Sequence, residues 1–321
     1  MNEVRRHEIR IPSELGGRRL DQALAAVFED YSRTMLTTWI REGRVFLNDR
    51  PCRPRDTVAA GDRIAVEAVL AASAETIPEP VEFATIHEDR ALIVVDKPAG
   101  LVVHPGAGNS HRTLVNGLLH RYPELTALPR AGLIHRLDKD TSGLLVVART
   151  PRAFQRLTAM MAEREIHRTY AAIVHGVVVA GGTIEASIAR DRRQRTRMRV
   201  AEGGREAVTH YRVTSKFREH TLLEIALETG RTHQIRVHLQ YVGSPIVGDP
   251  TYGMRQRVPA GAQPELLVAL RGLKRQALHA LRLAFPHPSG RGTVEAESPL
   301  PADIVSLLAA LAQDTAAALH K

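Results

Sequence analysis

Apolar positions in the first 70 residues predict a small domain of two helices followed by short strands. The apolar residues between positions 20 and 27 recur with the spacing of one helix face. A second helix is predicted across 35–40, with Ser32 as its N-cap. Apolar runs at 45–47 and 62–66 predict strands on either side of a turn. We place this small domain at residues 1–72.

A short linker and a larger domain are predicted beyond it. Residues 73–80 contain small residues and two prolines without periodicity, which is typical of a linker. Helices are predicted after Thr150, across 232–241 and after Pro301. Strand-like runs are more numerous and do not alternate strictly with these helices, so we expect an α+β domain with a largely antiparallel sheet at 81–321. The strand-like runs lie at 92–95, 144–148, 170–174, 207–213, 222–227 and 281–285.

The charge distribution points to a polyanionic partner for the larger domain. The chain of 321 residues has a formal net charge of +9 and a sequence pI near 10.2. Residues 1–80 contain 12 Arg and no Lys against 13 acidic residues, a net charge of −1, and the remainder carries +10. Such an excess most often indicates nucleic acid, although a basic protein without such a partner fits it too.

Other compositional features exclude several classes of protein. Cys52 is the single cysteine, which excludes an internal disulfide and a cysteine-based zinc site. The residues before His7 lack the apolar stretch of a signal peptide. No window approaches the roughly 18–20 apolar residues of a membrane span. We therefore expect a cytoplasmic protein with no membrane partner.

The densest group of reactive side chains lies at His135–Gly143, directly before the apolar run at 144–147. It combines two carboxylates, two cations, a histidine and two hydroxyl groups, in a loop that enters a predicted buried strand. A loop in this position is a rigid support for a site. On spacing alone, a charged surface loop with an internal ion pair is an equally good interpretation.

A second polar stretch covers Thr229–His238. If the helix begins at Thr232, then Thr232 and Arg236 share one face. An arginine on that face could supply the fixed cation that keeps a partly buried carboxylate ionised. The stretch by itself also fits an exposed amphipathic helix.

Three other motifs can be excluded. The sequence His-Arg-Leu-Asp is found in kinase catalytic loops, but the chain has no glycine-rich nucleotide loop and no Asp-Phe-Gly. Residues 106–108 are not followed by the Gly-Lys-Ser/Thr of a P-loop. His233 and His238 lack the spacing and the glutamate of a metalloprotease helix.

Four segments resemble the RluA family of pseudouridine synthases. HRLDKDTSGLLVVA at 135–148 is similar to its central motif, and VVDKPAGLVVHP at 94–105 to its first. LETGRTHQIRVHLQYVGSPIVGDPTYG at 227–253 is similar to its second signature, and RQALHALRLAFPHP at 275–288 to its closing core strand. The order helix–helix–hairpin before them resembles the alpha-L RNA-binding domain. Together these segments resemble the branch of the family that acts on large-subunit ribosomal RNA.

The resemblance implies a site and a reaction. Asp138 corresponds to the essential carboxylate, Arg236 to the arginine paired with it, and Tyr170 to the tyrosine that packs on the base. That tyrosine is also a candidate for removing the final proton. Arg136 corresponds to the arginine that enters the base stack, and Arg168 stands where the family often has lysine. The reaction isomerises uridine in RNA, after the nucleotide has left its stack.

Further arginines are predicted to contact RNA. The segment 188–205 is too polar and too basic for a core, and it reads as a basic hairpin or loop that binds phosphates. In the small domain, the segment between positions 33 and 63 contains seven arginines and only four acidic residues. The predicted RNA contacts are His135, Arg136, Arg168, Arg231, Arg41, Arg44, Arg193 and Arg195.

We therefore expect an RNA pseudouridine synthase that uses neither a cofactor nor a metal, and that is a monomer. Its expected partner is ribosomal RNA or an assembly intermediate of the ribosomal subunit. Two alternatives remain open: a transfer-RNA synthase of the same family, and a non-catalytic RNA-binding or ribosome-assembly protein.

Overall fold

The protein is described by a computed structural model that covers residues 3–28, 31, 33–70, 76–106, 109–191, 193–194, 196–253 and 256–319. The chain forms two compact units, Met1–Thr76 and Ile77–Lys321. The division between them falls inside the predicted linker, whose limits stay a prediction. Ser32, residues 71–72 at the end of the predicted small domain and residues 73–75 of that linker lie outside the described residues.

The first unit is a four-stranded antiparallel sheet with two helices. The predicted helices and strands are present, and the sheet order is β1-β4-β2-β3. Its core contains Leu24, Leu36, Trp39 and Ile64, all buried. The first strand was not predicted, because its mainly charged sequence is typical of an edge and only pairing with β4 makes it a strand. The elements are β1 (Glu3–Arg10), α1 (Leu20–Val27), α2 (Arg33–Arg41), β2 (Val45–Leu47), β3 (Arg50–Pro51) and β4 (Arg63–Leu70).

The second unit combines eleven strands and five α-helices among its described residues. They are β5 (Ala84–Glu88), β6 (Leu92–Lys97), α3 (Leu114–Arg121), β7 (Ser142–Ala148), α4 (Pro151–Ala162), β8 (His167–His175), β9 (Gly182–Glu185), β10 (Ile188–Arg190), β11 (Met198–Val200), β12 (Val208–Lys216), β13 (His220–Leu227), α5 (Gln234–Tyr241), α6 (Pro264–Gly272), β14 (Leu278–Pro286), β15 (Thr293–Glu297) and α7 (Ala302–Leu319).

Nine of these strands form one sheet in the order β5-β6-β7-β14-β8-β13-β12-β9, with β15 paired to β14. Every pairing is antiparallel except that of β7 with β14. Both faces of the central strands are covered, because alternate residues of β7 enter different cores. Leu145 and Val147 belong to the main core, whereas Leu144 and Val146 pack with Leu157 of α4. The predicted α+β class with a largely antiparallel sheet is confirmed.

The parallel contact between β7 and β14 requires a glycine. Gly143 has a φ of +109°, and a Cβ atom there would lie 2.2 Å from the carbonyl oxygen of Ala280. A side chain is therefore excluded both by backbone conformation and by space. This close approach fixes where β7 begins, and with it the position of the loop that precedes the strand.

Helix α7 corrects one expectation. Its 18 residues have a mean hydropathy of 1.4, so by length and composition the helix could cross a membrane, and the prediction that no window approaches a span is wrong. Apolar residues of α7 pack inside the domain, since Ile304, Leu307 and Leu311 are buried in the main core. Asp303 and Asp314 on the same helix form ion pairs with Arg275 and Arg218. The pattern is that of a helix packed on a domain.

Candidate active site

A buried lysine holds the loop that carries Asp138 in place through hydrogen bonds. Lys97 is fully buried, and its ammonium group donates to the carbonyl oxygens of Pro98 at 2.8 Å, Leu101 at 3.0 Å and Lys139 at 2.9 Å. Burial lowers the pKa of Lys97 to about 7. Three carbonyl acceptors satisfy all three donors of an ammonium group. The residue next to Asp138 is therefore tied to the end of β6.

Further hydrogen bonds fix the rest of this loop. Arg275 donates from Nη1 to the carbonyl oxygen of Asp140 at 3.2 Å, and Gln276 donates from Nε2 to Thr141 Oγ1 at 3.0 Å. Both residues immediately precede β14. The loop is therefore held between the two central strands β7 and β14, as a precisely oriented side chain at Asp138 requires.

Arg236 joins Asp138 to a second carboxylate. Its Nη1 donates to Asp138 Oδ2 at 2.9 Å, and its Nε and Nη2 donate to the two oxygens of Asp249 at 2.7 and 2.9 Å. Asp249 also accepts the backbone N–H groups of Thr251 and Tyr252. The bidentate pair holds the guanidinium plane, so that its remaining edge faces Asp138.

The charges of this triad stabilise one another. Burial by itself raises the pKa of Asp249, but the hydrogen bonds and positive charge of Arg236 hold that pKa below its ordinary value. Burial by itself lowers the pKa of Arg236, and the two carboxylates more than compensate for it. Arg236 is 6% exposed and Asp138 18% exposed, so only the Asp138 end of the triad is open to a ligand.

A cavity of about 960 Å³ opens over Asp138. This is at the upper end of the roughly 300–1,000 Å³ of typical ligand pockets. Asp138, Tyr170 and Arg236 all line it, so the three predicted catalytic residues lie at one site. Burial raises the pKa of Tyr170, and the nearby Arg168 cation opposes this only in part. The Tyr170 side chain is therefore a neutral phenol at physiological pH.

Arg168 contributes a buried cation to the same cavity. It is 7% exposed, and its Nε has no hydrogen-bond partner among the described residues. Gly230 leaves the space that the guanidinium occupies, since a Cβ there would lie 2.8 Å from Arg168 Nη1. A buried N–H group without an acceptor is costly. The residue as a whole lines the cavity and brings a positive charge to it.

The other predicted contacts of this motif also line the cavity. Arg136 is exposed, and Arg231 donates from Nε to the carbonyl oxygen of Glu206 at 2.9 Å. His135 Nε2 accepts the N–H of Val146 at 3.3 Å, so this nitrogen is engaged in holding β7. Burial lowers the pKa of His135 to about 3. The imidazole is therefore neutral.

The remaining predicted RNA contacts lie elsewhere. Strands β10 and β11 pair as an antiparallel hairpin, as the basic segment predicted, and Arg193 is exposed at its tip. Arg195 lies outside the described residues. Arg41 and Arg44 belong to the first unit, where Arg41 is exposed and Arg44 forms an ion pair with Glu42.

The start of helix α5 differs from the prediction. The helix begins at Gln234, so Thr232 precedes it and does not share a helical face with Arg236. His233 adopts a left-handed conformation, with a φ of +57°. Its ring nitrogen Nδ1 contacts the Tyr252 hydroxyl at 2.8 Å. The left-handed backbone at His233 is incompatible with an α-helix, so the helix cannot begin before Gln234.

Asp249 and Tyr252 were not singled out from the sequence. Both belong to the segment that carried the family resemblance, and Asp249 is the one carboxylate in that segment after Arg236. This single carboxylate after Arg236 is the feature of the sequence from which a role for Asp249 could be predicted. Among the residues that the structure describes, no group of three His, Cys, Asp or Glu side chains is arranged to hold a metal ion.

Comparison with known protein families identifies the two units as a small RNA-binding domain followed by a pseudouridine synthase domain. The family described as RNA pseudouridylate synthase matches residues 91–241, and the S4 domain family matches residues 18–64. The chain belongs to the RNA pseudouridylate synthase family. It is an RNA pseudouridine synthase with an N-terminal S4 domain, which confirms the expected enzyme and the expected small RNA-binding domain.

Curated relatives match almost end to end. The chain is 50% identical over 308 residues to "Ribosomal large subunit pseudouridine synthase D" of Xanthomonas campestris, covering 96% of this chain and 93% of the relative. Proteins of the same name from Pseudomonas aeruginosa and Escherichia coli K12 are 47% and 46% identical. These alignments cover 98% of both chains in the first case, and 93% of this chain and 92% of the relative in the second.

Two solved structures resemble most of this chain in fold. Human RNA Pseudouridylate Synthase Domain Containing 4 aligns with a TM-score of 0.58 and 27% identity, over 71% of this chain and 93% of that one. Human RNA Pseudouridylate Synthase Domain Containing 1 gives a TM-score of 0.55 and 26% identity, over 71% and 87%.

Proposed function

We propose that this enzyme converts specific uridines of large-subunit ribosomal RNA to pseudouridine, with Asp138 as the catalytic carboxylate. The ribosomal substrate is supported by the relatives of that name, which align over more than nine-tenths of their length. The S4 domain and the basic hairpin support a large structured RNA. A transfer-RNA substrate is the alternative within the same family.

The geometry around Asp138 carries the proposal. The reaction breaks the bond between uracil N1 and ribose C1′, turns the base and joins C5 to C1′. C5 then loses its proton and N1 gains one, so that the product is an isomer of uridine. Attack of the carboxylate on C1′ and a route through a glycal both use an ionised carboxylate. Arg236 supplies a fixed cation at 2.9 Å from Oδ2, and the Asp138 side chain lines the cavity.

Other cavity residues are assigned to the flipped nucleotide. Tyr170, as a neutral buried phenol, packs on the base and can accept the C5 proton only after it has lost its own. Arg168 brings a positive charge to the cavity wall, which suits a uracil carbonyl or a phosphate oxygen. Exposed Arg136 is available to fill the gap that the target nucleotide leaves in the stack. His135 and Arg231 also line the cavity, and we assign them to substrate binding.

The proposal has a direct test. Asp138→Asn should bind ribosomal RNA with near-normal affinity and form essentially no pseudouridine, since the amide is a poor nucleophile and does not ionise. Pseudouridine mapping of total RNA from cells with and without the protein identifies the substrate. Turnover by Asp138→Asn would contradict the catalytic assignment, and sites lost only from transfer RNA would contradict the ribosomal one.

We further propose that the enzyme works as a cytoplasmic monomer on ribosomal RNA or on an assembly intermediate. Sedimentation of the purified protein tests its oligomeric state. Activity on naked RNA, compared with activity on assembling particles, distinguishes the two substrates.

A further inference from the structure

Tyr252 connects the basic hairpin to the active site. Its hydroxyl accepts the backbone N–H of Met198, in strand β11 of the hairpin, at 2.7 Å. The same hydroxyl contacts His233 Nδ1 at 2.8 Å. Tyr252 is 1% exposed, so both hydrogen bonds are protected from water. The guanidinium groups of Arg197, from the hairpin, and of Arg236 lie 5.2 and 5.0 Å from its ring centroid.

The hydrogen-bonding capacity of the Tyr252 hydroxyl favours one tautomer of His233. The Tyr252 oxygen accepts from Met198, and the buried hydroxyl has one hydrogen of its own to donate. His233 Nδ1 is the acceptor within reach, so the neutral imidazole carries its proton on Nε2. His233 Nε2 lies 3.8 Å from Asp138 Oδ1. This separation is too long for a hydrogen bond and is closed by a small movement of either group.

The hairpin and α5 also pack together. Ile188 of β10, Val237 of α5 and Tyr252 form a buried apolar cluster, against which Met198 and Val200 of β11 pack. A displacement of the hairpin on binding phosphates would therefore act on the helix that carries Arg236, as well as on His233 through Tyr252.

We propose that Tyr252 and His233 form a positioning relay, through which RNA bound to the hairpin brings His233 Nε2 onto Asp138 Oδ1. The two oxygens of the catalytic carboxylate are then oriented by different donors, Oδ2 by Arg236 and Oδ1 by His233. Catalysis becomes efficient only on RNA that also engages the hairpin. This inference rests on the proposed role of Asp138. It adds that the enzyme is selective for RNA large enough to reach the hairpin as well as the active site.

Two conservative substitutions test the relay. Tyr252→Phe keeps the ring and removes the hydroxyl, while His233→Asn tolerates the left-handed conformation, retains an acceptor near Tyr252 and removes Nε2. Each should lower the single-turnover rate at saturating RNA about tenfold, as expected for one lost hydrogen bond to a charged group. RNA affinity should change less than about twofold. An unchanged saturated rate in both variants overturns the relay.

A double-mutant cycle separates this role from a purely structural one. The hairpin variant replaces Arg190, Arg193 and Arg199 with Gln, all exposed. It should lower both the affinity and the saturated rate of the wild type, but only the affinity in the Tyr252→Phe background. The matched control replaces Arg152, Arg271 and Arg291, three exposed arginines away from the cavity, and should leave the saturated rate unchanged.

Each outcome of the cycle decides the question. Equal effects of the hairpin variant in both backgrounds would mean that the hairpin acts on the rate without Tyr252, which overturns the proposal. A loss of affinity alone in the wild type also overturns it. Failure of the relay leaves Asp138→Asn inactive and the wild type active, whereas absence of pseudouridine with the wild type would refute the proposed function itself.

Discussion

Asp138 and Asp249 are the two carboxylates bound by Arg236. Replacing each of them with Asn should change the free energy of unfolding by different amounts. In Asp249→Asn, the buried arginine loses its bidentate partner, and breaking such a buried pair costs about 3–5 kcal/mol. The amide oxygen can still accept the N–H groups of Thr251 and Tyr252, and Arg236 retains Asp138. We therefore expect a loss of about 2–4 kcal/mol in the free energy of unfolding of the second unit.

Asp138→Asn is the matched control for this loss of stability. Arg236 then keeps both hydrogen bonds to Asp249, and the partly exposed Asp138 contributes only a single bond. The expected change in the free energy of unfolding is below about 1 kcal/mol. Asp138→Asn should thus abolish turnover at almost no cost in stability. Asp249→Asn should lower both stability and the saturated rate, because Arg236 is no longer held.

Urea unfolding of the two variants measures the difference. Far-UV circular dichroism reports mainly on the larger second unit, while the fluorescence of Trp39, the single tryptophan, reports on the first unit and serves as an internal control. The Asp249 contribution also has a pH signature. Since the pKa of Asp249 is lowered in the folded protein, its stabilisation is present above about pH 4 and is lost as the pH falls below that value. Equal destabilisation by both substitutions would refute this division of roles.

Three further outcomes follow from the structure. Deleting residues 1–75 should weaken RNA binding and flatten its salt dependence, by a log–log slope of roughly 0.7–0.9 per lost phosphate contact, with near-normal single-turnover rates at saturating RNA; an unchanged salt slope would contradict RNA binding by the S4 domain. Lys97→Met leaves three carbonyl groups without a donor and should cost about 2–4 kcal/mol in urea unfolding, with a reduced rate. Burial lowers the pKa of His175 and of His220 to about 4, so unfolded protein binds more protons between pH 4 and 6.5. As the pH falls from about 6.5 to 4, the free energy of unfolding should decrease by about 1–3 kcal/mol per histidine. His220→Leu should flatten this profile in a pH series of urea transitions.

Local sequence determined the elements whose pattern is repeated over several residues. Strand β7 reads as a continuous apolar run because both of its faces are buried, and α4 is marked by Thr150 before a proline in its first turn. Helix α3 was missed because it is buried nearly all round, Asn116 and Gly117 included, so that no polar stripe identifies it. Asp138, Tyr170 and Arg236 could be named in advance because they stand in segments that resemble a known family.

Tertiary structure alone decided how those residues work together. Asp138 and Arg236 are 98 residues apart in the chain, and the hydrogen bond between them forms because β7 belongs to the large sheet and α5 packs against strand β12 of the same sheet. The hydrogen bonds of Arg236 to Asp249, of His233 to Tyr252 and of Tyr252 to the hairpin likewise join separate segments. Periodicity describes which face of an element is apolar. Periodicity does not indicate which polar groups form hydrogen bonds once the apolar faces are buried. The chemistry of this site depends on those hydrogen bonds.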